Sequence, residues 1–266
     1  MLERRLSSIV FPLDKGISLT GSRKEFEYVD NSIPLLRNEE FDRPKTSQFT
    51  ILYLHGNGTS ISDEDLESLL THFASFFKTK IFSYDYPGTK ESGYLNKTTR
   101  NGNIEEIIFR DAETVFKYIT KENPSKKVLL IAHSIGTAPA IYLAERFKNK
   151  DIIKGLVLFS SFYSILSIAL GKRLVNNTFL TRFDFFQNFK LMQKLKVQKN
   201  FPIMLFHGRD DDMINYINSV QLYDILTGDQ VKEDDRFRLC IIKNVGHNSI
   251  FHHIPDLLLE IQQLLE

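Results

Sequence analysis

The chain has 266 residues, of which 42% are hydrophobic and 25% are charged, a composition typical of a soluble protein with a sizeable core. Its 34 lysines and arginines nearly equal its 33 acidic residues, so charge gives no reason to expect a nucleic-acid partner. The single cysteine, Cys240, excludes a disulfide framework, and no apolar window approaches the ~20 residues of a membrane-spanning helix. We therefore expect one cytoplasmic domain over residues 1–266, with a buried and inert Cys240 thiol and at most a peripheral membrane contact through residues 1–12.

The N-terminal part of the chain is the least regular. The stretch "EFEYVDNS" (25–32) is a candidate strand, whereas "IPLLRNEEFDRPKTS" (33–47) is predicted to be a loop that leads into a sheet. From residue 48 onward, short apolar runs alternate with longer segments of helical period, which is the pattern of βα units around a parallel sheet. Strands are predicted at 49–55, 80–86, 127–133, 153–160, 201–207 and 237–244.

Helices are predicted between these strands. The segment "SDEDLESLLTHFASFF" (62–77) opens with a serine and early acidic residues suited to an N-cap and a first turn, and "NIEEIIFRDAETVFKYITK" (103–121) repeats apolar residues at helical spacing. A last amphipathic helix is predicted to begin near Pro255.

Residues 162–198 break the alternation, and we predict that this insertion forms a cap. Its apolar residues have two interpretations, either a wall for an acyl chain or a cap that simply packs on the core. They are Phe162, Tyr163, Ile165, Leu166, Ile168, Leu170, Phe179, Leu180, Phe183, Phe185, Phe186 and Phe189.

The stretch "LLIAHSIGTAP" (129–139) places one serine where a buried strand turns abruptly into a helix. At such a bend the backbone is strained, and strand and helix approach so closely that the residues two before and two after the serine must be small. Ala132 and Gly136 meet that demand around Ser134, in a relaxed form of the G-x-S-x-G pattern. The hydroxyl would stand beside the Ile135 N–H at a helix N-terminus, so Ser134 is a candidate nucleophile and Ile135 a candidate oxyanion donor.

A second oxyanion donor is expected in another loop at the same edge of the sheet. The turn "LHGNG" (54–58) follows the first clear strand, and its glycines expose backbone N–H groups. Asn57 is therefore the candidate for the second donor. The alternative is a plain glycine-rich turn.

A nucleophilic serine also needs a base and an orienting acid. Three adjacent carboxylates, Asp210, Asp211 and Asp212, follow the strand at 201–207. Only one of them can face a histidine, because neighbouring charges at a dry site repel each other. The H-G-x-x-D spacing selects Asp211, with Asp210 as the next candidate.

His247, in "NVGHNSI" (244–250), is the only one of the seven histidines that directly follows the final predicted strand. It is therefore the candidate base. His55 and His207 end strands beside glycines and are interpreted as structural turn residues, and His133 is expected to point away from the nucleophile. The resulting chain order is Ser, Asp, His.

Together these motifs resemble those of the α/β-hydrolase superfamily, from about Ile51 to the C-terminus. The segments that are similar to its branch of small serine hydrolases, which includes protein depalmitoylases, are "LYLHGNG", "FSYDYPGTKESG", "AHSIGTAPA", "FDFFQNFKLMQKLKVQKNFPIMLFHGRDDDMI" and "NVGHNSI". The depalmitoylases carry an N-terminal cysteine cluster for membrane anchoring, and this N-terminus has no cysteine.

The resemblance implies the α/β-hydrolase fold, with a mostly parallel central sheet flanked by helices and a short cap insertion at about 162–198. It also implies roles for five residues. Ser134 would be the nucleophile, Asp211 the acid, His247 the base, and Asn57 and Ile135 the oxyanion donors.

We therefore expect a serine hydrolase that cleaves a carboxylic ester or thioester through an acyl-enzyme and needs no metal or organic cofactor. Its substrate would be a small-molecule or lipid acyl compound or an acylated protein. One alternative is an aminopeptidase-type α/β-hydrolase. The cap argues against it, because Asp184 is the only acidic residue in the cap that could bind an amino terminus. The other is a non-catalytic α/β-hydrolase that binds a ligand or protein, although such proteins usually lack a member of the triad.

Overall fold

The centre of the molecule is an eight-stranded sheet in the order β1-β2-β4-β3-β5-β6-β7-β8. The computed structural model describes residues 26–38, 48–87, 103–170, 184–195, 201–228 and 236–266. The strands are β1 (Glu27–Val29), β2 (Ile33–Asn38), β3 (Phe49–Leu54), β4 (Ile81–Tyr84), β5 (Lys127–His133), β6 (Ile153–Phe159), β7 (Ile203–Gly208) and β8 (Phe237–Ile242). β2 runs antiparallel to β1 and β4, and all other neighbours are parallel. The predicted, mostly parallel α/β architecture is confirmed.

The N-terminal strands correct one prediction. The candidate strand at 25–32 contributes the short β1, but the loop predicted over 33–47 is wrong at its start, because Ile33–Asn38 forms β2. Pro34 weakens the sequence signal for this strand, since a proline cannot donate a hydrogen bond to a strand ladder. Here Pro34 lies opposite Tyr28 of β1, and its carbonyl still accepts the Asp85 N–H at 3.3 Å. Residues 39–47 lie outside the described residues.

Seven α-helices are described. Four of them match the helices predicted at 62–77, at 103–121, after the serine bend and from about Pro255, and the other three were not predicted from the sequence. They are α1 (Glu64–Phe77), α2 (Ile104–Glu122), α3 (Thr137–Phe147), α4 (Ile165–Leu170), α5 (Asn188–Leu195), α6 (Ile217–Thr227) and α7 (Ile254–Leu265). Short 3-10 turns precede α3 (Ser134–Gly136) and α7 (Ser249–His253). Asn103 caps α2 by accepting the Glu105 N–H, and Pro255 lies in the first turn of α7.

Helices cover both faces of the sheet. Along β3, Leu52 and Leu54 pack with the core shared by α2, α3, α5 and α6, whereas Ile51 and Tyr53 pack with the core of α1 and α7. A strand buried on both faces is mostly apolar, which is why the sequence of β3 is hydrophobic apart from the buried Thr50. Because β3, β5, β7 and β8 are parallel, their carboxyl ends and the loops that follow them meet at one edge.

Most described apolar residues of the predicted cap pack on the core, and Ile168, at 38% exposed, is the exception among those whose burial is described. Phe162, Phe185 and Phe186 are at most 8% exposed, and Tyr163 stacks on Phe189 with ring centroids 4.5 Å apart. These contacts favour the packing interpretation over a wall for an acyl chain. The predicted cap residues Phe179, Leu180 and Phe183 lie outside the described residues, and the single-domain organisation stays a prediction.

Two further sequence expectations concern burial and membranes. Cys240 is only partly buried, because β8 lies at the edge of the sheet, and the expectation of a fully buried thiol is therefore wrong. Within the described ranges, every helix is too short or too polar to cross a bilayer. Residues 1–12, the candidate membrane contact, lie outside the described residues.

Candidate active site

Ser134 lies at the sharp bend between β5 and α3. Its φ angle is 52°, a left-handed conformation that costs free energy for a residue with a side chain. Gly136 is required two residues later, since a Cβ there would lie 2.2 Å from the Leu54 carbonyl oxygen of β3. The close approach of strand and helix thus holds the serine in the strained conformation that the sequence pattern predicts.

His247 bridges Ser134 and Asp211. Its Nε2 lies 3.0 Å from Ser134 Oγ, and its Nδ1 lies 2.7 Å from Asp211 Oδ2. A carboxylate can only accept, so the Nδ1 of the neutral ring carries the proton and Nε2 accepts the serine O–H. The structure thus brings the three predicted side chains, which are 36 and 113 residues apart in the two contacts, into one hydrogen-bonded chain.

Both carboxylate oxygens of Asp211 are occupied. Oδ1 accepts the Met213 N–H at 3.0 Å and the Ile214 N–H at 2.7 Å, and Oδ2 faces two imidazoles, those of His247 and His207. Burial opposes the charged form, but the hydrogen bonds from His207 and His247 and from the Ile214 N–H outweigh it. The pKa of Asp211 is therefore held well below its ordinary value, and the carboxylate is ionised at neutral pH.

The neighbouring acids and the other candidate histidines on helical faces are exposed and lie outside the hydrogen-bonded Ser134–His247–Asp211 triad. Asp210 and Asp212 are exposed, which agrees with the choice of Asp211 from the H-G-x-x-D spacing. The histidines at 72, 252 and 253 are exposed as well.

The two predicted oxyanion donors lie in the turns that follow β5 and β3. Ile135 is the residue after Ser134, within the 3-10 turn that opens into α3. Asn57 is exposed and follows Gly56, where an added Cβ would lie 3.5 Å from Ser134 Cβ. The role of the Asn57 and Ile135 N–H groups as oxyanion donors stays a prediction.

His133 packs against the ring of the candidate base, His247, and no function was predicted for it from the sequence. Its ring centroid is 4.9 Å from that of His247, and its Nε2 lies 3.3 Å from the His247 carbonyl oxygen. Burial, aided by the nearby His247, lowers the pKa of His133 to about 3. A neutral His133 therefore supports the His247 backbone.

Two further buried histidines, both interpreted from the sequence as turn residues, face carboxylates. His55 Nε2 lies 3.3 Å from Asp85 Oδ1, and His207 Nε2 lies 3.2 Å from Asp211 Oδ2. The only sequence signal for either contact is a histidine before a glycine at a strand end. That pattern gives the place of each histidine but not the carboxylate that it faces.

Comparisons with known proteins identify the fold family of the chain. A family model described as alpha/beta hydrolase fold matches residues 50–193. The chain is 28% identical over 180 residues to alpha/beta hydrolase domain-containing protein aho-3 of Caenorhabditis elegans, and 27% identical over 184 residues to alpha/beta hydrolase domain-containing protein 17B of Homo sapiens. Each alignment covers 67% of this chain, but 48% of aho-3 and 55% of protein 17B, so the chain spans about half the length of these relatives.

A solved structure confirms the fold. A soluble variant of monoglyceride lipase from Saccharomyces cerevisiae, in complex with a substrate analog, superimposes with a TM-score of 0.64 at 14% identity. The superposition covers 96% of this chain and 98% of the lipase.

Proposed function

The chain belongs to the alpha/beta hydrolase fold family, and on that premise we propose that it is a serine hydrolase that cleaves carboxylic esters or thioesters. Ser134 is the nucleophile, His247 the base and Asp211 the acid. The observation that carries the proposal is the chain of hydrogen bonds from Ser134 Oγ through His247 to Asp211 Oδ2, at 3.0 and 2.7 Å. A serine hydroxyl becomes an effective nucleophile when an oriented imidazole can take its proton.

The first half of the reaction acylates the enzyme. Ser134 Oγ bonds to the carbonyl carbon while His247 Nε2 takes the hydroxyl proton, and the resulting oxyanion accepts hydrogen bonds from the Asn57 and Ile135 N–H groups. The bond from carbon to the leaving oxygen or sulfur then breaks, and His247 returns its proton to the departing alcohol or thiol. Asp211 keeps the Nδ1 proton in place and stabilises the imidazolium.

The second half releases the acid. A water molecule attacks the acyl carbon while His247 Nε2 takes one of its protons, and that proton then passes to Ser134 Oγ as the ester bond breaks. The products are a carboxylic acid and free Ser134. The cycle uses only these side chains and backbone groups, and it asks for no cofactor.

For the substrate we propose an acyl compound: a small molecule, a lipid or an acylated protein. The likeness to a monoglyceride lipase in the fold, and of the sequence motifs to the depalmitoylase branch, supports this class. We further propose that the protein acts in the cytoplasm, with any membrane contact being peripheral.

Neither alternative function gains support from a specific contact. An aminopeptidase would need an accessible carboxylate to bind an amino terminus, but Asp184 is only 8% exposed, and its Oδ1 accepts the Leu166 N–H of α4 at 2.8 Å. A non-catalytic binding protein would not need Ser134, His247 and Asp211 in hydrogen-bond contact. The hydrolase proposal uses all of these contacts.

The test is hydrolysis of p-nitrophenyl acyl esters and of acyl thioesters of increasing chain length. The wild type should hydrolyse at least one series, and Ser134→Ala should lose on the order of 10⁶ in kcat. Ser68→Ala, which changes an exposed serine of α1, is the matched control and should keep full activity. Folded wild-type protein that hydrolyses neither series, or equal rates for the two variants, would refute the proposal.

A further inference from the structure

A second imidazole, that of His207, contacts the carboxylate of Asp211, the candidate acid. Asp211 Oδ2 lies 2.7 Å from His247 Nδ1 and 3.2 Å from His207 Nε2, and the His207 side chain is fully buried. The same His207 nitrogen lies 2.8 Å from the Ile214 carbonyl oxygen. His207 therefore closes the turn that carries Asp211, in addition to contacting its carboxylate.

The partners of His207 define which of its ring nitrogens carries the proton. A carbonyl and a carboxylate can only accept, so Nε2 carries a proton and donates to both. Nδ1 lies 2.7 Å from Ser219 Oγ, whose hydroxyl donates to it when the ring is neutral. Ser219 Oγ lies in turn 2.7 Å from Ser161 Oγ, and both serines are fully buried. This chain of hydrogen bonds fixes the ring plane from the side away from Asp211.

We propose that His207 is a positioning residue, whose Nε2–H holds Asp211 Oδ2 toward His247. This inference rests on the proposed hydrolase function. It adds that turnover depends on a histidine whose ring contacts Asp211, Ile214 and Ser219 and acts on Ser134 only through the other two members of the triad.

The effect on turnover follows from the groups that face Asp211. They are His207 from β7, His247 from the loop after β8 and, at longer range, His133 from the end of β5. Without the His207 donor, one of the contacts that hold Oδ2 toward His247 is lost. A carboxylate that is held less firmly orients the Nδ1 proton and stabilises the imidazolium less well, so kcat should fall.

The test compares two polar substitutions that differ in which ring nitrogen they replace. The amide NH₂ of His207→Gln reaches the place of Nε2 and can still donate to Asp211, whereas that of His207→Asn reaches only the place of Nδ1. We expect His207→Asn to lower kcat about tenfold, with KM little changed. His207→Gln should keep a kcat close to that of the wild type, because it restores the donor to Asp211.

Thermal unfolding of both variants accompanies the kinetics. Equal kcat values in a folded His207→Asn and His207→Gln would overturn the positioning role, even if both lose stability. If His207→Asn does not fold, Ser219→Ala decides, because it frees the ring at Nδ1: a lowered kcat at unchanged KM supports the inference and an unchanged kcat contradicts it. These results are separate from failure of the proposed function, in which wild-type protein itself hydrolyses no ester or thioester.

Discussion

The same dipeptide, histidine followed by glycine, lies at the carboxyl ends of two strands, and the two histidines differ in what their neighbouring aspartates bind. His55 and Gly56 follow β3 and terminate it, whereas His207 and Gly208 close β7. Each imidazole is buried and lies near an aspartate carboxylate, at 3.3 Å from Asp85 and 3.2 Å from Asp211. The residue types, the burial and the distances are therefore alike.

The two carboxylates differ in what else they bind. Asp85 accepts the Ser60 hydroxyl at 2.9 Å and the Ile61 N–H at 2.8 Å, so both of its oxygens hold the loop after β3. Asp211 satisfies its loop with one oxygen only, and its other oxygen also faces His247. One pair therefore fixes a loop, and the other fixes a loop and orients the base. A buried His–Asp pair is thus no signature of catalysis without the third contact.

The two imidazoles also differ in their second nitrogen. His55 Nδ1 lies 2.9 Å from the Gly56 carbonyl oxygen, so both of its nitrogens face acceptors. His207 faces acceptors with Nε2 and the Ser219 hydroxyl with Nδ1, and a neutral ring satisfies both. The ring of Tyr86 packs on His55 at 4.5 Å, and its hydroxyl donates to the His55 carbonyl. The β3 end is therefore braced as a structural unit.

The same substitution at the two aspartates should separate these roles most strongly. We expect Asp211→Asn to lower kcat by about 10⁴, because the amide favours the wrong tautomer of His247, as in other triads. Asp85→Asn keeps an acceptor for the Ile61 N–H and should lose about tenfold or less. Steady-state kinetics on one p-nitrophenyl ester measures both, and similar losses would remove the distinction between the pairs.

Substitution of the two glycines should destabilise the protein to different extents. A Cβ at Gly208 would lie 2.2 Å from the Val245 carbonyl oxygen, a backbone atom of the loop that carries His247. At Gly56 the nearest atom is a side-chain nitrogen, His133 Nδ1, at 2.8 Å. We therefore expect Gly208→Ala to lower the free energy of unfolding by about 3 kcal/mol and Gly56→Ala by about 1 kcal/mol. Urea denaturation tests this order, and a larger loss for Gly56→Ala would reverse it.

His133 joins the two regions, since it touches Gly56 on one side and the His247 backbone on the other. Burial lowers its pKa from 6.5 to about 3, so between these pH values the unfolded chain binds more protons than the folded protein. The contribution of His133 to the free energy of unfolding is therefore complete above pH 6.5. It decreases as the pH falls, by roughly 1.4 kcal/mol per pH unit.

Replacing the ring isolates this contribution. Between pH 6 and pH 4.5 the wild type should lose roughly 2 kcal/mol more unfolding free energy than His133→Phe, which has no proton to take up. Urea denaturation at the two pH values gives the difference for each protein. Parallel losses would mean that His133 does not titrate with a depressed pKa.

Much of the fold and of the site could be predicted because the signals are local. The alternation of apolar runs predicts β3 to β8, and the bend around Ser134 needs only its neighbours Ala132 and Gly136. Asp211 was selected from three carboxylates by its spacing to His207, although the spacing did not reveal the contact between them. That contact depends on a turn closed through Ile214 and on Ser219 in α6, which the sequence does not bring together.

The failures also have physical causes. β2 was predicted as part of a loop, and it contains Pro34, which lacks an N–H; this strand runs beside the three-residue β1, where a missing donor is tolerated. Cys240 was expected to be buried because its run is apolar, yet β8 has a neighbour on one side only. Both residues lie near a sheet edge, and edge positions depend on strand order rather than on local composition.

The central claim is that Ser134 is an activated nucleophile, and the most direct measurement is covalent labelling by a fluorophosphonate. Intact-mass spectrometry of the wild type should reveal one phosphonyl group, and peptide mapping should place it on Ser134. Ser134→Ala should remain unlabelled. Folded wild-type protein that takes up no label, or a label on another residue, would contradict the account.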